Sequence, residues 1–294
     1  MDVLLQVLQI VAPVFILAGI GFVWVRLGLA YDLAFVTRLA MQLGMPCLIF
    51  TALARAEIDP RLLADLSLAT VMGYFAVGVL SLAACLLLRL DLRAFLAPLI
   101  FGNTGNLGLP VALFAYGAEG LAYALIVFAI MAVMNFTLGV WLVSGRGSGE
   151  MLRQPIAHGA ALGMVAMIAG WQPPVWAMNT LDLIGQISIP LMLLTLGVAI
   201  ARLTARDIGT AVLVSVLKLG IGVGVGVAVV TATGLGWGAA GGAFLLQLSM
   251  PVAVTSYLLA TRYSTRPQAV AGLVVASTLL AVPAIPAILA VLLH

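Results

Sequence analysis

The sequence predicts an all-α integral membrane protein of ten transmembrane helices, built as two inverted five-helix repeats with broken crossover helices four and nine. Three observations predict it. First, 64% of the 294 residues are hydrophobic and only 8% are charged, against roughly 25% charged in an ordinary soluble domain. A water-soluble core cannot absorb that much apolar surface, because large cores split into domains rather than grow. Second, the apolar residues fall into stretches long enough to cross a bilayer, which takes about 20 residues each. Third, the two halves carry prolines at nearly one period.

The ten stretches run over 3–24, 33–54, 63–88, 94–116, 119–143, 156–171, 175–202, 206–233, 239–261 and 267–292. The first carries Asp2 and has no Lys or Arg ahead of its apolar run. A cleaved leader needs a positive start and a short apolar core, so this stretch is read as a retained helix. Arginine placement sets the orientation. Arg26, Arg38, Arg89, Arg93, Arg146, Arg153, Arg202, Arg206, Arg262 and Arg266 fall in one set of loops, and only Arg55 and Arg61 in the other. Cytoplasmic loops collect the positive charge, so both termini are expected outside a bacterial cytoplasmic (inner) membrane. The loop over 144–155 is Gly/Ser-rich and charged. It separates a first repeat, 1–143, from a second, 156–294.

The repeats share their interruptions. LGMPCLIFTAL around Pro46 resembles ISIPLMLLTLG around Pro190, 144 residues on. GLPVALFAYG around Pro110 resembles SMPVAVTSYLLA around Pro251, 141 residues on. Paired features at one period indicate duplication. A unit of five helices must insert its second copy upside down, the architecture of many secondary transporters. Segment four reads LIFGNTGNLGLPVALF, with Gly102, Gly105, Gly108 and Pro110 among Asn103, Thr104 and Asn106. Gly costs about 1 kcal/mol and Pro about 3 in a helix interior, so the helix should break there, with Pro110 opening a second half-helix. Segment nine carries Gln247, Ser249, Pro251, Thr255 and Ser256 in a similar arrangement. Freed backbone groups survive in a membrane only where protein or a wet cavity satisfies them. Two breaks in matched positions should therefore meet near the midplane. A lone proline often does no more than kink a membrane helix, but four matched prolines with clustered polar neighbours point to a site. Half-helix N-termini turned to one point would hold an anion such as a carboxylate.

NTGNLGLP in segment four and MPVAVTSYLLATRY in segment nine resemble the auxin efflux carrier family, which includes plant auxin exporters and bacterial carriers of small carboxylates. The resemblance covers the whole chain. It implies a scaffold of segments one, two, six and seven, with homodimers formed through it, and a transport unit of three to five and eight to ten. The unit would move elevator-fashion, with substrate at the crossover. By position, the resemblance assigns Asn103, Pro110, Pro251 and Asn135 (in VMNFTLG) to the site. Thr255 departs from the asparagine many members carry, so an indole acid is not implied. The implied function is efflux or exchange of small organic anions. A sodium-coupled symporter of the related bile-acid carrier design is the alternative.

Other features weigh less. The only lysine, Lys218, lies deep in segment eight. A charge at that depth is rare and marks function, as a charge partner for an anion or within the transport unit, unless it snorkels to an interface. Asp182, near the start of segment seven, reads as an interfacial acid. Neither crossover has a carboxylate beside it, so the coupling ion, Na+ or H+, stays open, as does uniport. Cys47 and Cys85 sit in apolar runs, and His158 and His294 join no cluster. No metal or other cofactor is expected. The singly scattered arginines make no basic face for nucleic acid. An intramembrane enzyme would need a nucleophile with a base, or an aspartate pair, inside a span, and neither is seen. Gly236, Gly238 and Gly241 match a dinucleotide fingerprint without the strand it requires. Gly220/Gly224 and Gly222/Gly226 have the spacing of close helix packing.

Overall fold

The computed structural model describes residues 3–144, 155–203, 208–263 and 266–293. Most of the predicted central loop, 144–155, lies outside the described residues, as do its arginines Arg146 and Arg153, and Arg206. Among the described residues helix is the regular secondary structure, apart from a single isolated bridge between Gly102 and Val252.

The helices are α1 (Val3–Arg26), α2 (Leu33–Arg38), α3 (Met45–Ala54), α4 (Pro60–Leu87), α5 (Leu92–Ile100), α6 (Leu109–Met134), α7 (Val140–Ser144), α8 (Pro155–Ala169), α9 (Val175–Gln186), α10 (Ser188–Arg202), α11 (Ile208–Thr233), α12 (Ala239–Leu248), α13 (Val254–Arg262) and α14 (Pro267–Leu292). Three π-helical turns run directly into the helices that follow them: Leu39–Gly44 into α3, Thr104–Gly108 into α6 and Asn135–Gly139 into α7. Among the described residues, seven stretches are long and apolar enough to cross a membrane, and α8 and α12 are shorter apolar helices.

The few acidic residues have local work at helix starts. Asp32, Asp59 and Asp91 accept hydrogen bonds from the backbone N–H of Phe35, Arg61 and Arg93 at 2.9, 2.7 and 3.0 Å. Each satisfies a donor that the first turn of a helix leaves without a partner.

One apolar stretch, Thr104–Ser144, is 41 residues long. It folds back at Gly117, which has φ 66° and ψ −153°. A β-carbon on Gly120 would lie 2.7 Å from the carbonyl oxygen of Ala112. Eight residues of straight helix would separate the two by about 12 Å. Only a reversal at Gly117, in a conformation that favours glycine, brings them together.

Lipid gives helices little hydrophobic reason to associate, so small residues that admit close backbones decide the packing. Gly197 brings α10 onto α1 at Ala18, and Gly159 brings α8 onto α3 at Pro46. Gly222 and Gly226 seat α11 on α12 at Leu248 and Leu245, whereas Gly220 and Gly224 face open space. Of the two glycine pairs in segment eight, one is therefore the packing face.

The matched prolines Pro46 and Pro190 each follow an interruption of their segment, and the two interruptions touch. Pro46 follows the π turn ahead of α3, and Pro190 lies in the first turn of α10, just past the break at Ile187. A β-carbon on Gly44 would fall 2.2 Å from the Ser188 hydroxyl.

Candidate functional site

Segments four and nine are broken, and their breaks cross. α5 ends at Ile100, and the chain runs extended through Phe101–Asn103 before the π turn that leads into α6. α12 ends at Leu248, and α13 begins at Val254. The two extended pieces lie antiparallel, with the Asn103 N–H donating to the Pro251 carbonyl at 2.6 Å. A β-carbon on Gly102 would come within 3.0 Å of the Met250 carbonyl. Glycine is needed at this position because two backbones pass there.

Pro110 does not mark the first break. It is the second residue of α6, after the π turn, and the break lies seven or more residues earlier. The missing proline N–H is absorbed by widening the preceding turn: Leu109 N–H reaches back to the Thr104 carbonyl. Helix continuity is thus kept past the glycines and lost at Phe101–Asn103, where the crossing supplies other partners.

Asn103 and Thr104 are buried at the head of this second half-helix. The Asn103 Nδ2 and the Thr104 hydroxyl have no protein partner. An unmatched buried polar group costs about 1–3 kcal/mol, so two adjacent ones at the positive end of a helix form a place prepared for an acceptor. Gly105 follows, against Phe128 and Met192 of α6 and α10. Asn106 is half-buried.

The other predicted residues divide. Pro251 is at the crossing itself. Gln247 ties α12 to α6, donating to the Ala124 carbonyl at 3.1 Å, with its Oε1 facing Gly108. Ser249 donates to the Leu245 carbonyl of its own helix at 2.7 Å. Asn135 begins the third π turn, half-buried. Its Oδ1 and the Phe101 ring both abut Gly139, so it approaches the first break. Thr255 points to the exposed face of α13, and Ser256 is half-buried, its N–H donating to the Ala253 carbonyl. Lys218 is buried and donates to the Leu99 carbonyl at 2.9 Å.

Two further residues belong to the neighbourhood. The Tyr74 ring stacks on Phe101 at 6.2 Å, and its buried hydroxyl has no protein partner. Ser277 accepts from the Val252 N–H at 3.0 Å and so holds the second extended piece against α14. A tyrosine alone in the middle of the apolar α4 was the available signal for the first. Nothing in the sequence distinguishes Ser277 from other helical serines.

A separate cavity of about 470 Å³ opens between α3, α6 and α9, lined in part by Arg55, Glu57, Glu119, Tyr123 and Asp182. Arg55 pairs with Asp182 across α3 and α9, which neutralises one of the two arginines outside the main set. The Arg55 side chain is 52% exposed, and an ion pair that wet contributes about 0–1 kcal/mol. Arg55→Ala should therefore change the apparent melting temperature by no more than a few degrees, and Asp182→Ala by about the same amount. A double variant no less stable than either single one is the expected mark of their pairing in thermal unfolding.

The chain matches the family described as "Membrane transport protein" over residues 6–153 and 149–289. It is 23% identical over 219 residues to a Rhizobium meliloti protein named "Putative malonate transporter", covering 67% of each chain. It is 26% identical over 180 residues to an uncharacterised transporter of Methanocaldococcus jannaschii. That second match covers 55% of this chain and 58% of its relative, little more than half the relative's length. Family matches across both halves, together with the apolar helices, establish that the chain belongs to the membrane transport protein family, the auxin efflux carriers, and is a multi-pass membrane transporter.

Proposed function

We propose that this chain is a secondary transporter that exports or exchanges small organic anions, carboxylates such as malonate, at the crossover of segments four and nine. The observation that carries the proposal is the pair of buried, unpartnered donors, Asn103 Nδ2 and Thr104 Oγ1, at the N-terminal end of a half-helix. Helix N-termini favour negative charge, and a carboxylate can accept from several N–H and O–H groups at once. Asn106, Asn135 and the start of α13 complete the proposed site. The name of the Rhizobium meliloti relative agrees with that ligand class.

Ten spans follow if Thr104–Ser144 counts as two, divided at Gly117, and α8 and the α12–α13 pair as one each. The inverted repeat is supported by the packing pairs. α1 lies on α10 as α8 lies on α3, which exchanges first with sixth and second with seventh segments. In the proposed elevator, α4–α7 and α11–α14 carry the site past a scaffold of α1–α3 and α8–α10. The contact of Gly105 with Met192 of α10 lies on that sliding surface. The scaffold would also form the homodimer. The arginine bias supports both termini outside the cytoplasmic membrane; in that orientation the 470 Å³ cavity would open on the outer side, where substrate would leave.

The test is thermal stabilisation of the purified protein by a panel of small carboxylates, malonate included, with sodium and pH varied. Ligand that binds the native state raises apparent stability by mass action. A selective, saturable rise with one acid class is expected. A panel without any shift would remove the carboxylate reading.

A further inference from the structure

The only lysine of the chain is the eleventh residue of α11, about 15 Å along the helix from Ile208. The residue is 4% exposed, and its ammonium donates a hydrogen bond to a backbone carbonyl, Leu99 O, at 2.9 Å. Among the described residues no carboxylate pairs with it.

The break in α5 explains that partner. In an unbroken helix the Leu99 carbonyl would accept from the Asn103 N–H. That N–H is given to Pro251 instead. The crossing frees the carbonyl, and the lysine takes it. One turn further along α11, on the same face, Gly222 rests on the end of α12, where a β-carbon would lie 2.3 Å from the Leu248 carbonyl. The end of α5 thus gives the ammonium its hydrogen bond, and the end of α12, at Ser249, lines the same small space as Lys218. Each helix end carries a partial charge of about −0.5, so together they roughly match one positive charge. The substrate-side donors lie at the opposite, N-terminal ends of the crossing.

Half-helix C-terminal ends and unwound carbonyls are where ion-coupled carriers hold a cation. We propose that Lys218 is a tethered cation occupying that seat, so that this carrier neither binds nor requires a soluble sodium ion. The proposal rests on the chain being a carrier with its site at the crossover. The space beside the ammonium, bounded by Ser215, Ser249, Pro251 and Ser277, is about 10 Å³, room for one water-sized body. Removing the ammonium leaves the Leu99 carbonyl and three hydroxyl oxygens around an enlarged void. Hard cations prefer oxygen ligands of this kind.

The test uses the full chain without substrate, so it succeeds or fails independently of the carboxylate reading. Wild type, Lys218→Ala and Lys218→Met are compared in sodium chloride and in choline chloride at equal ionic strength, by melting temperature and by binding of radioactive sodium. Wild type should bind no sodium and melt at the same temperature in both salts. Lys218→Ala should melt lower in choline, recover part of the loss as sodium rises, and bind sodium saturably. Lys218→Met, which fills the void with an apolar chain, should be destabilised without recovery. Should Lys218→Ala not survive purification, Lys218→Ser, which adds an oxygen at the seat, is read in the same way. Sodium binding or sodium-dependent stabilisation of wild type would overturn the proposal. So would an alanine or serine variant that does not distinguish sodium from choline.

Discussion

Asn103→Ala should lose carboxylate binding by roughly 10- to 100-fold while folding as well as wild type or better. The amide is buried, and its Nδ2 has no protein partner. A hydrogen bond to a charged acceptor contributes about 1.5–3 kcal/mol, which sets the expected loss of affinity. Stability should move the other way, or not at all, because truncation removes an unmatched buried donor. Its backbone N–H, which closes the crossing on Pro251, is unaffected by the substitution. The combination distinguishes a ligand-binding amide from a structural one. Equilibrium binding of labelled malonate and a melting curve on the same preparation read both. A variant that keeps its affinity, or one that loses affinity only because it melts early, would take Asn103 out of the site.

Gly197→Val should be the most damaging substitution outside the crossover. A β-carbon there would sit 1.8 Å from the Ala18 carbonyl oxygen and 2.7 Å from the Phe22 nitrogen. Both are backbone atoms of α1, so no side chain can swing away. α1 and α10 must separate along their contact, and with them the proposed scaffold. Overpacking costs about 1–3 kcal/mol where side chains can yield, so about 3 kcal/mol or more is expected here. Gly220→Ala is the matched control, because nothing lies within 4 Å of its added carbon. Alanine is about 1 kcal/mol better than glycine in a helix interior, so that variant should be unchanged or slightly stabilised. Thermal unfolding in detergent should rank them alanine variant, wild type, valine variant. Equal melting temperatures for Gly197→Val and wild type would contradict the packing described for α1 and α10.

The extent of the helices was legible because it follows from apolar run length. The stretch predicted over 33–54 is the observed Leu33–Ala54, and that over 267–292 is Pro267–Leu292. The partner of Asp182 was not legible, because Arg55 lies 127 residues away in sequence. The first break was legible as a region but not to the residue. Glycine and proline content placed the break within residues 102–110; it falls at the Gly102 end, and at the Pro110 end local propensity is met by a π turn. What breaks the helix is a hydrogen bond from Asn103 to a residue 148 positions away, together with the close passage at Gly102. Partnerships of that kind are tertiary and leave no mark in local composition. Lys218 shows the same limit. Its depth was visible, but its partner is a carbonyl, and every residue has one. Thr255 was assigned to the crossover among the polar residues of segment nine, at the position where the resembled family often carries asparagine. Thr255 is the second residue of α13 and is exposed, while Pro251 is buried at the crossing.

The most direct test of the central claim is counterflow in liposomes containing the purified chain. Vesicles are loaded with unlabelled malonate, and uptake of labelled malonate is followed against empty vesicles. A carrier that alternates access at one site should show saturable uptake, faster into loaded vesicles, and Asn103→Ala should abolish the acceleration. Uptake that rises linearly with concentration and ignores the internal load, or no uptake of any small carboxylate, would contradict an anion carrier working through the crossover.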